Sequence, residues 1–430
     1  MSSIDAGTGV QRQSQTALQA PARRAVSEGL PLSGITVADF SWVLAGPRAT
    51  SWLGAMGARV IKIEGPTRPD QYRAIAIFVP GKEDVTEGSG AFHNLNHTKL
   101  QCSIDFTHPR GLELAKQIVA MSDIVVENFS YGVMERAGLG YEDLKQIKPD
   151  IIMVSSSAMG KTGPDKHHIA YGTLIHAFSG INSVTGYNGE LGGVGGTYSD
   201  PLVGTTMVFA ILAALWHRKR TGEGQKLDLS MVEATMMQLP EYVLDYTANG
   251  RVASSHGNSD GIASPHDTFR CAGRNKWVAI SVSDQEEWTL FCHALGDSAW
   301  CKDERFSDQL KRFKNRDALY ELIAAWTSTR DVNQVVELLR SFGVAAGPSY
   351  NSEDMYHDPN MQARGMYPEV EHPFVGVKPI WALPWRMDSR QQERYWAAPT
   401  FGQDTDFVLH DLLGVSEEEI ASLREQGVVV

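Results

Sequence analysis

One aspartate of this sequence stands where its carboxylate could act as a covalent nucleophile. Asp200 follows a glycine-rich segment, residues 186–196, and directly precedes Pro201, which opens a long apolar stretch. A purely structural role explains this arrangement, because aspartate is preferred at a helix N-cap and proline at the next position. The same geometry suits chemistry, since helix amides stabilise a carboxylate and a developing oxyanion, and glycines let a ligand approach the backbone. A carboxylate so placed could attack an acyl group, and the two roles are compatible.

Other motifs that suggest chemistry lack the context that the chemistry requires. Residues 160–162 end like a phosphate-binding loop, but Ser155 stands where that loop needs a glycine, and no helix is predicted to follow. Residues 257–261 match the G-x-S-x-G pattern of a hydrolase nucleophile, yet polar loop residues surround them. No two cysteines have C-x-x-C spacing, the adjacent His167 and His168 point in different directions, and no complete G-x-G-x-x-G follows the first predicted strand. A metal site and a nicotinamide dehydrogenase are therefore disfavoured.

Strands and helices alternate along the first part of the chain. Residues 35–40 and 59–64 are predicted as strands with a helix over 46–56 between them, which makes a βαβ unit with parallel strands. Further helices are predicted over 109–121, 141–147, 171–179, 201–219 and 231–248, and further strands over 123–127, 151–155 and 226–229. Apolar strands separated by helices predict a doubly wound α/β layer. Beyond residue 265, shorter strands and helices predict a compact α+β domain.

Composition narrows the class of protein further. With 42% hydrophobic and 21% charged residues over 430 positions, the chain has an ordinary soluble composition. Its net charge of −12 argues against nucleic-acid binding, although a local basic pocket for an anionic ligand is compatible with it. The four cysteines are scattered, as in proteins of a reducing cytosol, and the most apolar stretch, residues 202–216, is too short for a membrane span. We therefore expect a cytoplasmic protein without a membrane or nucleic-acid partner.

Four longer stretches carry a family pattern. They are GITVADFSWVLAGP (34–47), LGAMGARVIKIEGP (53–66), VENFSYGVMERAGLGYEDL (126–144) and YSDPLVGTTMVFAILAALWHRKRTGEGQKLDLSMVEA (198–234). Together they resemble class III CoA-transferases, the family of formyl-CoA transferase, carnitine CoA-transferase and α-methylacyl-CoA racemase. The similarity runs from about residue 32 to the C-terminus and is strongest through residue 235. A weaker stretch, PHDTFRCAGRNKWVAISV (265–282), looks like the small domain of that family.

The resemblance implies a fold and an assembly. It implies an α/β, Rossmann-like large domain with a parallel sheet, which binds CoA and is formed by residues 31–225 and 350–430. A smaller α+β domain is expected over residues 250–345, and residues 1–30 are expected to form a mobile N-terminal extension. The resemblance also implies an interlocked dimer in which each chain threads through the other, as a homodimer or as a heterodimer with a paralogue.

The resemblance also implies a reaction. In the transferases an aspartate attacks a donor acyl-CoA and forms a mixed anhydride while CoA thiolate leaves. An aspartyl-CoA thioester follows, and the acceptor acid then takes over the CoA. That aspartate aligns with Asp200. Coenzyme A enters as the substrate thioester, and neither a metal nor a redox cofactor is implied.

The resemblance also implies which residues contact CoA, because they align with CoA-binding positions of the family. They are Val43 near the pantetheine arm, Lys99, Asn128, Phe129 and Arg136. Each of the last four residues could instead have a purely structural role. Asn128 and Phe129 can form a turn at the end of a strand, and Arg136 can be an ordinary surface arginine. Lys99 can form a salt bridge without contacting CoA. A cation near the CoA phosphates suits a chain whose net charge is −12.

Some positions depart from the better-known family members. The histidine that moves the α-proton in the racemases falls at Tyr171 or Gly172, and neither residue can be that base, so a racemase is disfavoured. Formyl-CoA transferase has a glutamate at the position of Gly172, a glutamine at that of Leu44 and a run of glycines near residues 254–261, which here read SSHGNSDG. The loss of polar groups at Leu44 and Gly172 predicts room for a larger, less polar acyl group.

The sequence thus predicts transfer of CoA from a donor acyl-CoA, with succinyl-CoA as one candidate, to a carboxylic acid through a covalent intermediate at Asp200. Two alternatives stay open. One is a non-catalytic CoA-binding subunit of a heteromeric CoA-transferase, and the other is an α-methylacyl-CoA racemase or epimerase. The sequence does not specify the acceptor acid.

Overall fold

A computed structural model describes residues 28–75, 77–82, 86–187, 189–259, 261–387 and 394–430 of the chain. These residues divide into two units, the first comprising 28–182, 193–252 and 365–430 and the second 183–192 and 253–364. Residues 1–27 of the expected N-terminal extension lie outside the described residues. Compared with the expected division, residues 226–252 belong to the first unit, and residues 183–192 and 350–364 belong to the second.

A six-stranded parallel sheet forms the centre of the first unit. Its strands are β1 (Thr36–Asp39), β2 (Arg59–Glu64), β3 (Leu100–Ser103), β4 (Ile124–Glu127), β5 (Ile152–Ser157) and β6 (Lys226–Ser230). They lie side by side in the order β3-β2-β1-β4-β5-β6, and every neighbouring pair is parallel. This is the strand order of a doubly wound fold. The predicted α/β class with a Rossmann-like parallel sheet is therefore confirmed.

Helices cover both faces of this sheet. The helices between residues 45 and 249 are α1 (Ala45–Ala55), α2 (Gly90–Asn96), α3 (Pro109–Ala120), α4 (Val133–Arg136), α5 (Tyr141–Ile147), α6 (Gly172–Ser179), α7 (Ile181–Val184), α8 (Ser199–Thr221), α9 (Met231–Met236) and α10 (Pro240–Asn249). Successive strand residues point to opposite faces, so Val37 packs in one core with Leu53 and Met207, whereas Ala38 packs in the other core with Leu114. The inner strand β4, IVVE, is apolar except for its last residue and fully buried, as expected where both faces of a sheet are covered.

The second unit has a sheet and a core of its own. Its antiparallel strands are β7 (His266–Arg270), β8 (Trp277–Ser281) and β9 (Ala345–Pro348). Its helices are α11 (Gln285–Ala294), α12 (Gln309–Lys314), α13 (Arg316–Thr327), α14 (Val332–Ser341), α15 (Ser352–His357) and α16 (Pro359–Ala363). Phe291, Leu319 and Leu339 are fully buried at its centre. The chain then returns to the first unit with the hairpin β10 (Glu369–His372) and β11 (Gly376–Pro379) and with α17 (Glu417–Glu425).

The edge strand β3 is absent from the elements that the sequence predicted. Its letters, LQCS, mix apolar and polar residues, yet all four are buried. The backbone N–H of Gln101 donates to the carboxylate of Asp404 at 3.1 Å, and that of Ser103 donates to the hydroxyl of Thr405 at 3.1 Å. Two backbone N–H groups of this strand are therefore satisfied by the C-terminal segment, about 300 residues away, which no local pattern can show.

The single helix predicted over residues 231–248 is in fact two helices, α9 and α10. The side chain of Ser230 caps α9 by accepting the N–H of Glu233. The break falls before Pro240, which starts α10 because the first helical position needs no backbone donor. The residue before a proline avoids the helical conformation, and Leu239 accordingly has φ −127° and ψ 36°.

Helix α8 has two different faces. By length and apolar composition alone this 23-residue helix could cross a membrane. Val203, Met207 and Ile211 on one face are fully buried against the rest of the first unit. On the other face, Phe209 and Trp216 are 75% and 62% exposed. The helix therefore packs as a core element on one side and presents apolar surface on the other.

Candidate active site

A crevice at the carboxyl ends of β1 and β4 is the expected ligand site of this fold, because the strand order reverses there. Asn128, which follows β4, bridges to the loop that follows β1. Its Oδ1 accepts the N–H of Trp42 and its Nδ2 donates to the carbonyl of Trp42, each at 2.8 Å. The rings of Trp42 and Phe129 meet edge to face with centroids 5.2 Å apart. The structure thus brings the predicted contacts Val43, Asn128 and Phe129 to the same crevice.

Val43 is held there in an unusual backbone conformation. Its φ is +68°, which is rare for a β-branched residue and is found mostly where function requires it. Its N–H donates to Oδ1 of Asp70 at 3.0 Å. The other oxygen of Asp70 accepts Nζ of Lys62 at 2.9 Å, and the same Nζ donates to the carbonyl of Ser41 at 2.8 Å. A buried ion pair therefore fixes both ends of residues 41–43.

Lys99 lies beneath the crevice rather than at its surface. Its side chain is fully buried, and its Nζ donates to Oδ2 of Asp39 at 3.0 Å and to Oδ1 of Asn96 at 2.9 Å. Burial lowers the pKa of Lys99 to about 8, against the charge of Asp39. The geometry favours the salt-bridge alternative for Lys99 over a contact with a CoA phosphate.

Two basic side chains follow the ends of strands of the sheet: Arg136 comes after β4, and Lys166 comes after β5. Arg136 is exposed, and its guanidinium folds over Gly132, where a Cβ atom would lie 2.6 Å from Nη1. Gly132 also has φ +80°, which a residue without a Cβ adopts at no steric cost. Nζ of Lys166 lies 4.5 Å from the ring centre of Tyr131. Lys166 therefore places positive charge beside an aromatic ring, and Arg136 is a second, exposed cation, a combination suited to a nucleotide bearing phosphates.

Asp200 lies in the first turn of α8 but is not its N-cap. The helix begins at Ser199, no side chain caps it, and Tyr198 before it already has helical angles, φ −59° and ψ −43°. The predicted N-cap role is therefore wrong. Burial raises the pKa of Asp200 to about 6, although a bond from its own backbone N–H acts against the shift. At pH 7 about nine-tenths of the molecules still carry an ionised carboxylate, so the group can act as a nucleophile.

Glycines pack closely beside this carboxylate. A Cβ atom on Gly172 would lie 1.7 Å from the carbonyl oxygen of Gly196 and 3.8 Å from Oδ2 of Asp200. The backbone of the glycine-rich segment thus rests directly on Gly172. The glycine at position 172 predicted extra room for an acyl group. The structure does not provide that room beside Gly172, because the backbone of Gly196 occupies it.

The chain matches the family model described as CoA-transferase family III over residues 32–405. This range contains Asp200 and every predicted CoA contact. The chain belongs to CoA-transferase family III. It is 32% identical over 404 residues to the succinyl-CoA–L-malate CoA-transferase alpha subunit of Chloroflexus aurantiacus, covering 94% of this chain and 93% of that protein.

Two further similarities support the membership. The chain is 30% identical to the succinate–glutarate CoA-transferase of Agrobacterium fabrum, covering 89% of this chain and 96% of that protein. The solved structure of a CAIB/BAIF family protein from Brucella suis superposes with a TM-score of 0.81 at 30% identity, covering 89% of this chain and 99% of that one. The predicted family and the CoA-transferase class of enzyme are confirmed, so the substrates include a CoA thioester. In the described part of the chain, no group of three or more His, Cys, Asp or Glu residues could hold a metal ion.

Sequence reasoning missed two residues near the carboxylate of this family III CoA-transferase. The pKa of Tyr72 is raised, first by burial and second by the negative charge of Asp200, so its phenol stays protonated. The electrostatic effect also indicates that the phenol lies near the carboxylate. His176 accepts the N–H of Ser199, the residue before Asp200, at 3.3 Å. No motif marks either side chain, although the histidine lies on the helix that precedes the glycine-rich segment. Only the folded chain places them beside α8.

Replacing Gly172 with alanine is expected to lower kcat about tenfold or more, because the new methyl group must displace Gly196 beside the nucleophile and a displacement of about 1 Å can cost about 10²-fold in rate. Steady-state kinetics of the purified variant measure the effect. Gly193→Ala is the matched control, because a Cβ atom at that position meets nothing within 4 Å. Equal kcat values for the two variants would contradict the close packing of Gly196 on Gly172.

The pH profile should report the ionisation of Asp200. Only the carboxylate form attacks an acyl carbon, and the pKa of this group is about 6, so kcat/KM is expected to fall about tenfold per pH unit below that value. Initial rates between pH 5 and 9, with circular dichroism at each pH as the control for unfolding, measure this limb. A profile that stays flat down to pH 5 would argue against an ionised carboxylate in the rate-limiting steps.

Proposed function

We propose that this enzyme transfers CoA from succinyl-CoA to a small carboxylic acid through a covalent intermediate on Asp200. The observation that carries the proposal is the position of this carboxylate: it is ionisable near pH 6, lies in the first turn of α8 and is flanked by glycine backbone. The donor is inferred from the relatives, whose names include succinyl-CoA or succinate. The helix N-terminus favours the anionic states of the reaction.

The proposed reaction is a series of acyl exchanges. An oxygen of Asp200 attacks the thioester carbon of succinyl-CoA; a C–O bond forms, the C–S bond breaks, and CoA leaves as thiolate. The thiolate then attacks the aspartyl carbon of this mixed anhydride and releases succinate, leaving an aspartyl-CoA thioester. The acceptor carboxylate repeats the sequence in reverse: it displaces CoA thiolate to form a second anhydride, and the thiolate then attacks the acceptor carbon. Acyl-CoA leaves, and the Asp200 carboxylate is restored.

Backbone amides are the proposed stabilisers of the oxyanion in each step. In the first turn of α8 the first N–H groups have no partner within the helix. The backbone of Gly196 lies against Gly172 beside the carboxylate, and its lack of a side chain lets the thioester reach the backbone. The phenol of Tyr72, kept protonated by its raised pKa, is a further donor near Asp200. The chemistry thus needs groups that this chain itself supplies.

The proposed CoA path runs along the crevice at the ends of β1 and β4. Val43 borders the pantetheine arm, and the ring of Phe129 forms part of the wall. Asn128 holds the loop after β1, which contains Val43, through its two hydrogen bonds to Trp42. Arg136 and Lys166 are proposed to meet the phosphates. Lys99 is left out of the proposed contacts because its ammonium group is buried against Asp39.

Replacing Arg136 with alanine is expected to raise KM for the acyl-CoA donor about tenfold and to leave kcat unchanged, because one charge-assisted contact to phosphate is worth about 1.5 kcal/mol. Steady-state kinetics with varied donor concentration measure the split. Arg220→Ala serves as the control, since this exposed arginine lies in the last turn of α8, away from the crevice. An unchanged KM in the Arg136 variant would remove Arg136 from the CoA site.

A dicarboxylic acid of four or five carbons is the proposed acceptor. Relatives at 30% identity or more are named for L-malate and for glutarate. The structure adds that Gly196 fills the space beside Gly172, which favours a slim acid over a bulky one. The earlier expectation of a larger, less polar acyl group is not part of the proposal.

A CoA-exchange assay tests the proposed function. The purified chain is mixed with succinyl-CoA and, one at a time, with malate, glutarate, bulkier acids and oxalate, and the new acyl-CoA is identified by mass spectrometry. We expect exchange with the dicarboxylates, and none with the Asp200→Asn variant. Exchange that is fastest with a bulky apolar acid would overturn the proposed acceptor, and equal exchange by the variant would overturn the nucleophile.

The proposed assembly is an interlocked dimer that works in the cytoplasm. Helix α10 has no buried residue, and Val243 and Leu244 on it are 52% and 66% exposed, so a second chain could cover this apolar surface. The free state of the four cysteines supports a reducing compartment. One relative is named as an alpha subunit, which favours a heteromeric enzyme as the second candidate. Activity of the chain purified alone separates the two assemblies.

A further inference from the structure

Ser199, the residue that precedes the proposed nucleophile, is held from two sides. It is fully buried. Its backbone N–H, which has no partner within α8, donates to Nε2 of His176 on α6 at 3.3 Å. Its hydroxyl lies 3.0 Å from Oγ1 of Thr235 on α9. Both partners are themselves buried, His176 at 2% exposure and Thr235 at 0%. Water therefore cannot replace Ser199 as the hydrogen-bond partner of either side chain.

His176 can make this contact only as a neutral imidazole. Nε2 must offer its lone pair to the N–H of Ser199, so the ring proton resides on Nδ1. Burial lowers the pKa of His176, and the ring is therefore neutral at pH 7. The ring of Tyr198 packs edge-on against it with centroids 6.3 Å apart, which limits rotation of the imidazole.

Thr235 is anchored within its own helix. Its Oγ1 lies 2.8 Å from the carbonyl oxygen of Met231 as well as 3.0 Å from Oγ of Ser199. Each hydroxyl has one proton to donate. All three groups are satisfied if Ser199 donates to Thr235 and Thr235 donates to the carbonyl oxygen of Met231. The start of α8 is thus tied to both α6 and α9.

We propose that His176 and Thr235 are positioning residues: by fixing Ser199 they hold the carboxylate of Asp200 in its attacking position. The inference rests on the proposed role of Asp200. Displacing a reacting group by about 1 Å costs about 10²-fold in rate. Because neither side chain belongs to the proposed CoA path, their loss should lower kcat and leave KM for the donor nearly unchanged.

A pair of substitutions at His176 tests the proposal. His176→Gln keeps a side-chain acceptor for the Ser199 N–H, and His176→Leu removes it at similar size. We expect kcat for CoA exchange to fall about 10- to 100-fold in the leucine variant and to stay within about threefold of the original in the glutamine variant. Equal kcat in all three proteins, equal loss in both variants, or a change confined to KM would overturn the proposal.

A second pair covers the case in which His176→Leu does not fold, as judged by its melting temperature. Thr235→Val removes the hydroxyl at constant shape, and Thr235→Ser keeps it. The valine variant is expected to lose about three- to tenfold in kcat and the serine variant to stay near the original. Equal kcat in the valine and serine variants would overturn the role of Thr235.

Single-turnover mass spectrometry separates this proposal from the proposed function. If the unmodified protein forms no covalent adduct with succinyl-CoA, the proposed function fails. If it forms the adduct and His176→Leu forms the same adduct at the same rate, the proposed function stands and the positioning role is overturned. We expect the adduct in all folded variants, forming about 10- to 100-fold more slowly in His176→Leu.

Discussion

The Asp200→Asn variant is expected to lose CoA-transferase activity by about 10⁴-fold or more, the scale on which enzymes lose kcat when the covalent nucleophile is removed. The amide has nearly the same shape as the carboxylate and lies in the same helical turn, so α8 should form unchanged. An amide oxygen is not a nucleophile for thioesters at neutral pH, so no anhydride can form. Initial rates of acyl-CoA exchange measure the loss, and donor binding measured separately should be retained.

The matched control is Asp331→Asn, at the start of α14. Asp331 caps that helix by accepting the N–H groups of Asn333 and Gln334, and asparagine caps about as well as aspartate. This variant should keep the activity of the original protein. Residual turnover of Asp200→Asn within tenfold of that control would contradict a covalent role for Asp200.

The Arg73→Ala variant is expected to lower the free energy of unfolding by about 3–5 kcal/mol, the usual cost of removing one partner of a buried ion pair. Arg73 is fully buried and pairs with Glu64 at 2.9 Å and with Glu87 at 2.9 Å. Alanine would leave the carboxylate of Glu64 buried without its cation, beside Asp70. Urea denaturation followed by circular dichroism measures the change.

A surface arginine gives the control for this prediction. Arg110 pairs with Glu113 and Glu419 through a side chain that is 31% exposed. Exposed pairs contribute about 0–1 kcal/mol, so Arg110→Ala should lower the free energy of unfolding by no more than that. Similar losses in the two variants would mean that the buried ion pairs of Arg73 do not stabilise the fold as described.

The parallel sheet could be predicted because its signals are local. Residues 59–64 form β2 with the predicted bounds, and the apolar runs of β4 and β5 lie within a residue or two of their predicted positions. The edge strand β3 could not be predicted, since its buried Gln101 and Ser103 depend on residues near 404. The break before Pro240 was readable from the proline itself and was missed.

The candidate site, like the sheet, could be predicted from the sequence only in part. The family pattern predicts Asp200 as the nucleophile, which stays a prediction, and the position of this residue at a helix start follows from the proline beside it. The N-cap expectation failed because helical angles begin at Tyr198, two residues before Asp200. The raised pKa of Asp200 and the contact between Gly196 and Gly172 depend on packing between elements that are distant in sequence. For the same reason, the pairing of Lys99 with Asp39 was readable only as one of two alternatives.

The most direct test of the account is mass spectrometry of the protein after incubation with succinyl-CoA in the absence of an acceptor acid. The account predicts a covalent adduct with the mass of a CoA thioester, located after proteolysis on the peptide that contains Asp200. It also predicts release of one succinate per adduct and no adduct in Asp200→Asn. An adduct on a different residue, or full turnover in exchange assays without any covalent adduct, would contradict the central claim.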